Sequence, residues 1–269
     1  MFPSRDTFEK NALRWVLSIS PKQTPIFYGS PATRIIGHRG YTASAPENTI
    51  QACLDALQLG AHGVEIDVKC SLDGQPFVFH DEVLWRMTGS EEVASEMTLS
   101  QLQALRLKGG VSLNSDTIPT LGDFLDAMPS GTFVNIEIKD YPPAYHGFEK
   151  TIIRLMQQHS ARLTFVVSSF DPRVLMRLRK LNAQVPLGLL IGPEQIWFLR
   201  YGFLIPLVLP HAIHPHHTMI DGALVRGAHA KNIRIHTWTV NGLDRAVQLA
   251  EFGVDAIITD RTPAMFNRF

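Results

Sequence analysis

Short apolar runs recur along this 269-residue chain, and several stop abruptly at charged or imidazole side chains. Ile35-Ile36-Gly37 leads into His38-Arg39, Val64 into Glu65-Ile66-Asp67, Phe77-Val78-Phe79 into His80-Asp81, and Val134-Asn135-Ile136 into Glu137-Ile138-Lys139. Strands are predicted at 34–38, 63–68, 133–139, 164–168, 187–191, 212–214, 233–240 and 256–259. Helical spacing fills the intervals at 48–59, 120–128, 147–159, 172–181, 194–201, 219–230 and 243–252, with a short helix at 263–268. Strands alternating with helices are the pattern of βα units on a parallel sheet. Eight such units predict an α/β protein of the (β/α)8, or TIM-barrel, class, and the chain has the length one such barrel needs.

A ninth strand-like run, 76–80, cannot belong to the barrel. Only residues 70–75, with the turn pair Asp73-Gly74, separate it from the second strand. A parallel crossover needs a dozen residues or more, so this run must fold back as a hairpin. The chain is therefore read as an N-terminal arm over 1–33, marked by Pro21, Pro25 and Pro31, and a barrel over 34–269. The barrel is interrupted after its second strand by an insertion at about 70–118, which contains a helix at 99–105 capped by Thr98 or Ser100.

The polar tips carry the chemistry. Active sites of such barrels sit at the carboxyl ends of the strands. Glu65 and Asp67 are two residues apart and share one side of their strand, as do Glu137 and Lys139. Carboxylates converging on adjacent strand ends suit a hard divalent cation, magnesium or calcium, held by Glu65, Asp67 and Glu137. No thiolate or all-nitrogen cage for zinc is evident. Arg39 offers a planar fork for phosphate and Lys139 a point charge for the same anion. His38 and His80 have the proton affinity of a general acid and base. Together these groups describe phosphodiester cleavage better than peptide or glycoside hydrolysis.

Composition adds boundaries rather than chemistry. The chain is 45% hydrophobic and 19% charged, with 25 basic and 25 acidic residues, so no nucleic-acid or anionic-membrane partner is indicated. Cys53 and Cys70 are read as free thiols of a reducing compartment, and a cytoplasmic location is expected. No secretory leader is visible in residues 1–30, and the apolar stretch 196–213 is broken by Arg200, Pro206 and Pro210, so no membrane span is expected. The run His211, His214, His216, His217 lacks helical metal-ligand spacing and is read as a loop with His214 near the mouth. Trp197, Phe198, Tyr201 and Phe203 could form packing, or a lip for lipid-like substrates or for a second copy in a homodimer.

The motifs Gly37-His38-Arg39-Gly40, Pro46-Glu47-Asn48-Thr49, Glu65-Ile66-Asp67, His80-Asp81, Ile136-Glu137-Ile138-Lys139, Trp238-Thr239-Val240-Asn241 and Ile258-Thr259-Asp260 closely resemble those of the glycerophosphodiester phosphodiesterases. The resemblance extends from about residue 35 to 260. It implies a (β/α)8 barrel with an insertion after the second strand. It also implies hydrolysis of glycerophosphodiesters to sn-glycerol 3-phosphate and an alcohol with one divalent cation (manganese is a further candidate). By the family pattern Glu65, Asp67 and Glu137 bind the metal, His38 and His80 are the catalytic pair, and Arg39 and Lys139 stabilise the phosphoryl oxygens. Glu47 is expected to face the site, Asn48 to cap the first barrel helix, and Trp238 to wall the glycerol or leaving-group side. Thr259-Asp260 is placed equally well in the site or as a helix cap. Lysophospholipase D-type hydrolysis of lysophospholipids and a non-catalytic binding barrel are the competing readings.

Overall fold

A computed structural model describes residues 5–23, 33–109, 117–139 and 147–262. Among them are nine strands: β1 (Arg34–His38), β2 (Gly63–Cys70), β3 (Pro76–Val78), β4 (Phe133–Ile138), β5 (Thr164–Ser169), β6 (Leu187–Ile191), β7 (Ala212–Pro215), β8 (Arg234–Thr237) and β9 (Ala256–Thr259). All but β3 run parallel in the order β1-β9-β8-β7-β6-β5-β4-β2, and β1 pairs with β2 to close the ring. This is the (β/α)8 barrel that the alternation of elements predicts. β3 lies outside the ring, antiparallel to β2 with Val68 opposite Val78, as its short linker requires.

The described helices are α1 (Arg5–Ile19), α2 (Ile50–Gln58), α3 (Trp85–Thr88), α4 (Leu99–Ala104), α5 (Leu121–Ala127), α6 (Phe148–His159), α7 (Pro172–Leu181), α8 (Trp197–Arg200), α9 (Ile205–Val208), α10 (Gly222–His229) and α11 (Leu243–Phe252). The barrel strands are buried on both faces and so read as continuous apolar runs, which is usual for parallel sheets under helices. Their outward side chains pack with the helices into the main core, while Ile36, Phe133, Val166, Ala256 and Ile258 form a cluster of their own. The inserted hairpin has a separate anchor in Phe77, Phe79, Leu84, Leu102, Leu107 and Ile118. Its helix α4 is capped by Thr98, whose hydroxyl and the Gln101 side chain complete a reciprocal capping box.

One helix was not expected, and two expectations are corrected. The N-terminal arm contains a helix, α1, packed against α9 and α10. Leu13, Val16 and Leu17, at helical spacing, are wholly buried, and Arg14 pairs with Asp221 at the start of α10. Beyond α1 the chain is fixed to the turn after α10: Lys231 Nζ donates to the Ser20 carbonyl and Asn232 Nδ2 to that of Gln23, each at 2.8 Å. The helix expected at 194–201 is only the single turn of α8, and after a turn at Gly202 the chain forms a second short helix, α9, with Pro206 inside it. Finally, α2 is capped by Thr49, not Asn48: the Thr49 hydroxyl accepts from the Ala52 N–H, and Asn48 has a left-handed backbone outside the helix. The helix expected at 263–268 lies outside the described residues.

Cys53 and Cys70 are buried, and neither is in a disulfide. Among the described residues, no helix is long and apolar enough to cross a membrane.

Candidate active site

Strand register assembles the site. Parallel pairing sets His38 beside Glu65 and Asp67 beside Glu137, so the carboxyl ends of β1, β2 and β4 present their polar residues at one height. After β1 the chain turns sharply: Arg39 and Gly40 both have positive φ, and a Cβ on Gly40 would lie 2.5 Å from the Ala52 carbonyl carbon. Only glycine lets the turn sit so close to α2. The turn is held by backbone bonds from Arg39 N–H to the Glu65 carbonyl (2.9 Å) and from Asn48 N–H to the Arg39 carbonyl (3.0 Å).

Glu65, Asp67 and Glu137 bring one oxygen each to within 4.8 Å of one another, and all three are buried. Three carboxylates this close repel one another unless a proton or a cation intervenes. Burial and then the charge of Asp67 push Glu65 up to about 8, and burial likewise raises Glu137. Asp67 is held below its ordinary value despite burial, because Lys139, Arg39 and His80 face it and Asn48 donates to it. Glu65 Oε1 and Asp67 Oδ1 are buried without a hydrogen-bond donor, and the latter has the Lys139 ammonium at 3.5 Å. Buried carboxylates converging from β2 and β4, two of them with an oxygen that has no donor, fit a hard divalent cation.

Asn48, expected as a helix cap, serves this cage. Its Nδ2 donates to Asp67 Oδ2 at 2.8 Å and its Oδ1 accepts from the Asp67 N–H at 3.0 Å. Arg39 places Nε 3.0 Å from Asp67 Oδ2 and Nη1 3.0 Å from Glu47 Oε1, while Lys139 Nζ donates to Glu137 Oε1 at 2.8 Å. The cage is thus ringed by the two cations.

The histidines are anchored alike. His38 Nδ1 lies 2.7 Å from Asp260 Oδ1, and His80 Nδ1 lies 2.7 Å from Asp81 Oδ1. A carboxylate on Nδ1 fixes the tautomer and leaves Nε2 for exchange of protons. Burial opposes a charge on both rings. For His38 the Asp260 hydrogen bond and the Glu65 charge overcome it and raise the pKa, whereas for His80 burial prevails and lowers it. Asp260 is itself fixed by Asn241, whose Nδ2 donates to Oδ2 at 2.7 Å and whose Oδ1 accepts from the Asp260 N–H at 3.0 Å.

His80 reaches the mouth because the Phe79 N–H donates to the Asp67 carbonyl, returning the hairpin alongside β2. Arg86, which the sequence reading did not single out, holds it there. Its guanidinium donates to Asp81 Oδ2 at 2.6 Å, to Glu47 Oε1 at 2.6 Å and to Glu47 Oε2 at 2.9 Å. Glu47, His80 and Asp81 could otherwise gather around a metal, but this guanidinium already engages both carboxylates. Glu47 has both oxygens engaged, Oε1 by Arg39 and Arg86 and Oε2 by Arg86. The i, i+5 spacing between Asp81, before α3, and Arg86, within it, carries no periodic signal.

Trp238 follows β8, with its indole N–H donating to the His214 carbonyl at 2.7 Å and its ring edge-to-face with Phe170 at 5.3 Å. His214 lies inside the barrel, fully buried, with its ring 4.6 Å from that of His236. A Cβ at residue 188 would lie 2.4 Å from His214 Nε2, so this ring requires Gly188. Both His214 nitrogens lack a hydrogen-bond partner. Burial keeps both rings neutral, His236 near 4 and His214 well below its ordinary value. Around His236 the Asp255 charge opposes this effect, while Arg34 and Arg234 reinforce it. At these two rings the unfolded chain therefore binds more protons than the folded one below about pH 6.5, and the stability they contribute falls as pH drops towards 4. For His236 alone the gap from 6.5 to about 4 corresponds to about 3 kcal/mol. Urea midpoints are expected to decline across this window, with a shallower decline in His236→Phe; identical slopes in both proteins would refute the assignment.

An anionic cage, a cationic ring and two anchored imidazoles at the mouth of a closed barrel place the chain among the phosphodiesterases built on this fold. The comparisons narrow the class. Residues 38–264 match the glycerophosphoryl diester phosphodiesterase family, and the chain belongs to it. A glycerophosphodiester phosphodiesterase of Caldanaerobacter subterraneus subsp. tengcongensis is 31% identical over 240 residues, covering 87% of this chain and 97% of its own. The structure of an Oleispira antarctica phosphodiesterase in complex with the product sn-glycerol-3-phosphate superposes with a TM-score of 0.76 at 25% identity, over 88% of this chain and 96% of that one. A glycerophosphodiester phosphodiesterase of Thermotoga maritima gives 0.72 at 27% identity, over 88% and 98%.

Proposed function

We propose that this chain hydrolyses glycerophosphodiesters to sn-glycerol 3-phosphate and an alcohol, using His38 and His80 as acid and base beside a divalent cation. The observation that carries this reading is the convergence of three buried carboxylates, two of them with an oxygen lacking a donor, within a ring of Arg39, Lys139 and two carboxylate-anchored histidines. The product named in the Oleispira complex is consistent with it.

Glu65, Asp67 and Glu137 would hold the ion, with magnesium or calcium preferred by an all-oxygen donor set and manganese also compatible. The bound ion supplies charge neutralisation at the phosphoryl group. Arg39 and Lys139 oppose the negative charge that builds on the phosphoryl oxygens, an electrostatic contribution of a few kcal/mol. Asn48 and Glu47 keep these groups in place before substrate arrives. One imidazole Nε2 takes the proton of a glycerol hydroxyl as its oxygen bonds to phosphorus, and the other protonates the departing alcohol. A cyclic phosphate results. Water then opens it with the two roles exchanged, which restores both rings.

The test is release of glycerol 3-phosphate from glycerophosphocholine by the purified protein with magnesium, calcium or manganese added in turn. Release with at least one of them is expected. No release with any would refute the reading.

A further inference from the structure

The sequence singles out an apolar stretch beginning at Ile196, and the proposed reaction leaves it without a role. Part of it lines a groove of about 540 Å³ between the start of α7 and α8, with Phe170, Ile196, Phe198, Leu199 and Leu204 among its walls. Its buried polar groups are already engaged. Asp171 accepts from the Arg173 guanidinium at 2.6 Å, and that arginine is largely in solvent. Gln195 Oε1 accepts from the Gly192 N–H at 2.9 Å, and its Nε2 donates to the Phe170 carbonyl at 3.3 Å. A polar guest would lose water there and find few partners, so the gain falls to hydrocarbon.

One ring joins this groove to the candidate active site. Phe170 lines the groove, stands edge-to-face with Trp238 at 5.3 Å and has its centroid 6.0 Å from Lys139 Nζ. The ammonium that borders the carboxylate cage and the hydrocarbon that floors the groove are therefore separated by a single aromatic side chain. Outward, the apolar path continues over Ile196 and Trp197, which are 57% and 61% exposed. Trp197 itself packs on Phe203 at 5.8 Å.

We propose that the groove is a substrate subsite for an unbranched hydrocarbon chain attached to the phosphodiester, so that amphiphilic glycerophosphodiesters react faster than wholly polar ones. This rests on the phosphodiester reading above and specifies its substrate. The chain could be carried on the leaving alcohol or on the glycerol, and the same chemistry recognises either.

The experiment measures kcat/KM for two series kept below their micellar concentrations. In one, sn-glycero-3-phosphate is esterified to linear alcohols from ethanol to octanol. In the other, lysophosphatidylcholines carry acyl chains from butanoyl to decanoyl. A methylene transferred from water contributes about 0.8 kcal/mol, so kcat/KM is expected to rise up to about fourfold per carbon in the series whose chain enters the groove. Ile196→Asp, a change at an exposed position that keeps the fold, and Phe198→Ser are expected to cut the long-to-short ratio at least tenfold. A rise in either series that these variants flatten supports the subsite and identifies the substrate arm within it. Turnover of the ethyl ester with no chain-length effect in either series overturns the subsite and leaves the phosphodiester reading standing. No product from any substrate overturns that parent reading. A dimer in sedimentation that Ile196→Asp dissociates, together with flat series, assigns the groove to a second copy and also overturns the proposal.

Discussion

His38→Ala is expected to lower kcat for glycerol 3-phosphate release by about 10²–10⁴-fold, the range that one positioned acid or base supplies. KM should change little, because Arg39, Lys139 and the carboxylate cage remain in place to bind the phosphoryl group. The Asp260 contact sharpens the test. Asp260→Asn keeps the size of the side chain but weakens the anchor on His38 Nδ1, so a smaller loss in kcat is expected, again with KM preserved. Asn can also donate to Nδ1 and thereby favour the other tautomer, which adds to the loss. His80→Ala should behave as His38→Ala does. Initial rates on glycerophosphocholine, with circular dichroism to verify the fold, decide the matter. If His38→Ala turns over within threefold of the parent protein, the two-histidine mechanism is wrong.

Dismantling the cage is the second large effect. Asp67→Asn, or chelation of divalent cations with EDTA, should reduce kcat/KM by about 10³-fold or more, since a cation at a phosphoryl group contributes several kcal/mol and each 1.36 kcal/mol is a decade of rate. Asp67 is the informative position, because it touches Asn48, Arg39 and Lys139 as well as the other carboxylates. Removing its charge leaves Arg39 with Glu47 and Lys139 with Glu137 as their remaining partners, so part of the loss comes from displacement of these half-buried cations. Chelation separates the contributions: it empties the cage and leaves every side chain intact. Readdition of magnesium, calcium or manganese should restore the chelated protein and fail to restore Asp67→Asn. An EDTA-treated enzyme with an unchanged rate would show that the carboxylates do not serve a metal. Isothermal titration provides a readout apart from activity, with binding expected in the parent protein and lost in Glu65→Gln.

The sequence made the barrel legible because its signals are local. Each strand is a short apolar run buried on both faces, and the linker of 70–75 is too short for a parallel crossover, so β3 could be assigned to a hairpin from chain length alone. Glu65 with Asp67, and Glu137 with Lys139, were visible as side-sharing pairs because a strand repeats every two residues. What stayed hidden depends on contacts between distant segments. Asn48 lies next to a helix start and has the preferred chemistry of a cap, yet its backbone turns left-handed and its side chain reaches Asp67, nineteen positions away. Arg86 is one arginine on the single-turn α3 until folding brings Glu47 to it across 39 positions. α1 was obscured by charged side chains distributed through 5–14 and by the prolines after it, and its apolar stripe of Leu13, Val16 and Leu17 gains meaning only against α9 and α10.

The bond between His38 and Asp260 spans 222 positions and crosses the seam where β9 meets β1. During synthesis, the imidazole near the start of the barrel waits for an anchor that directly follows its final strand. Before that strand is in place the carboxylates, Arg39 and Lys139 can be present, but His38 has no anchor on Nδ1. On the proposed mechanism, competence to cleave a phosphodiester would therefore arrive only with ring closure.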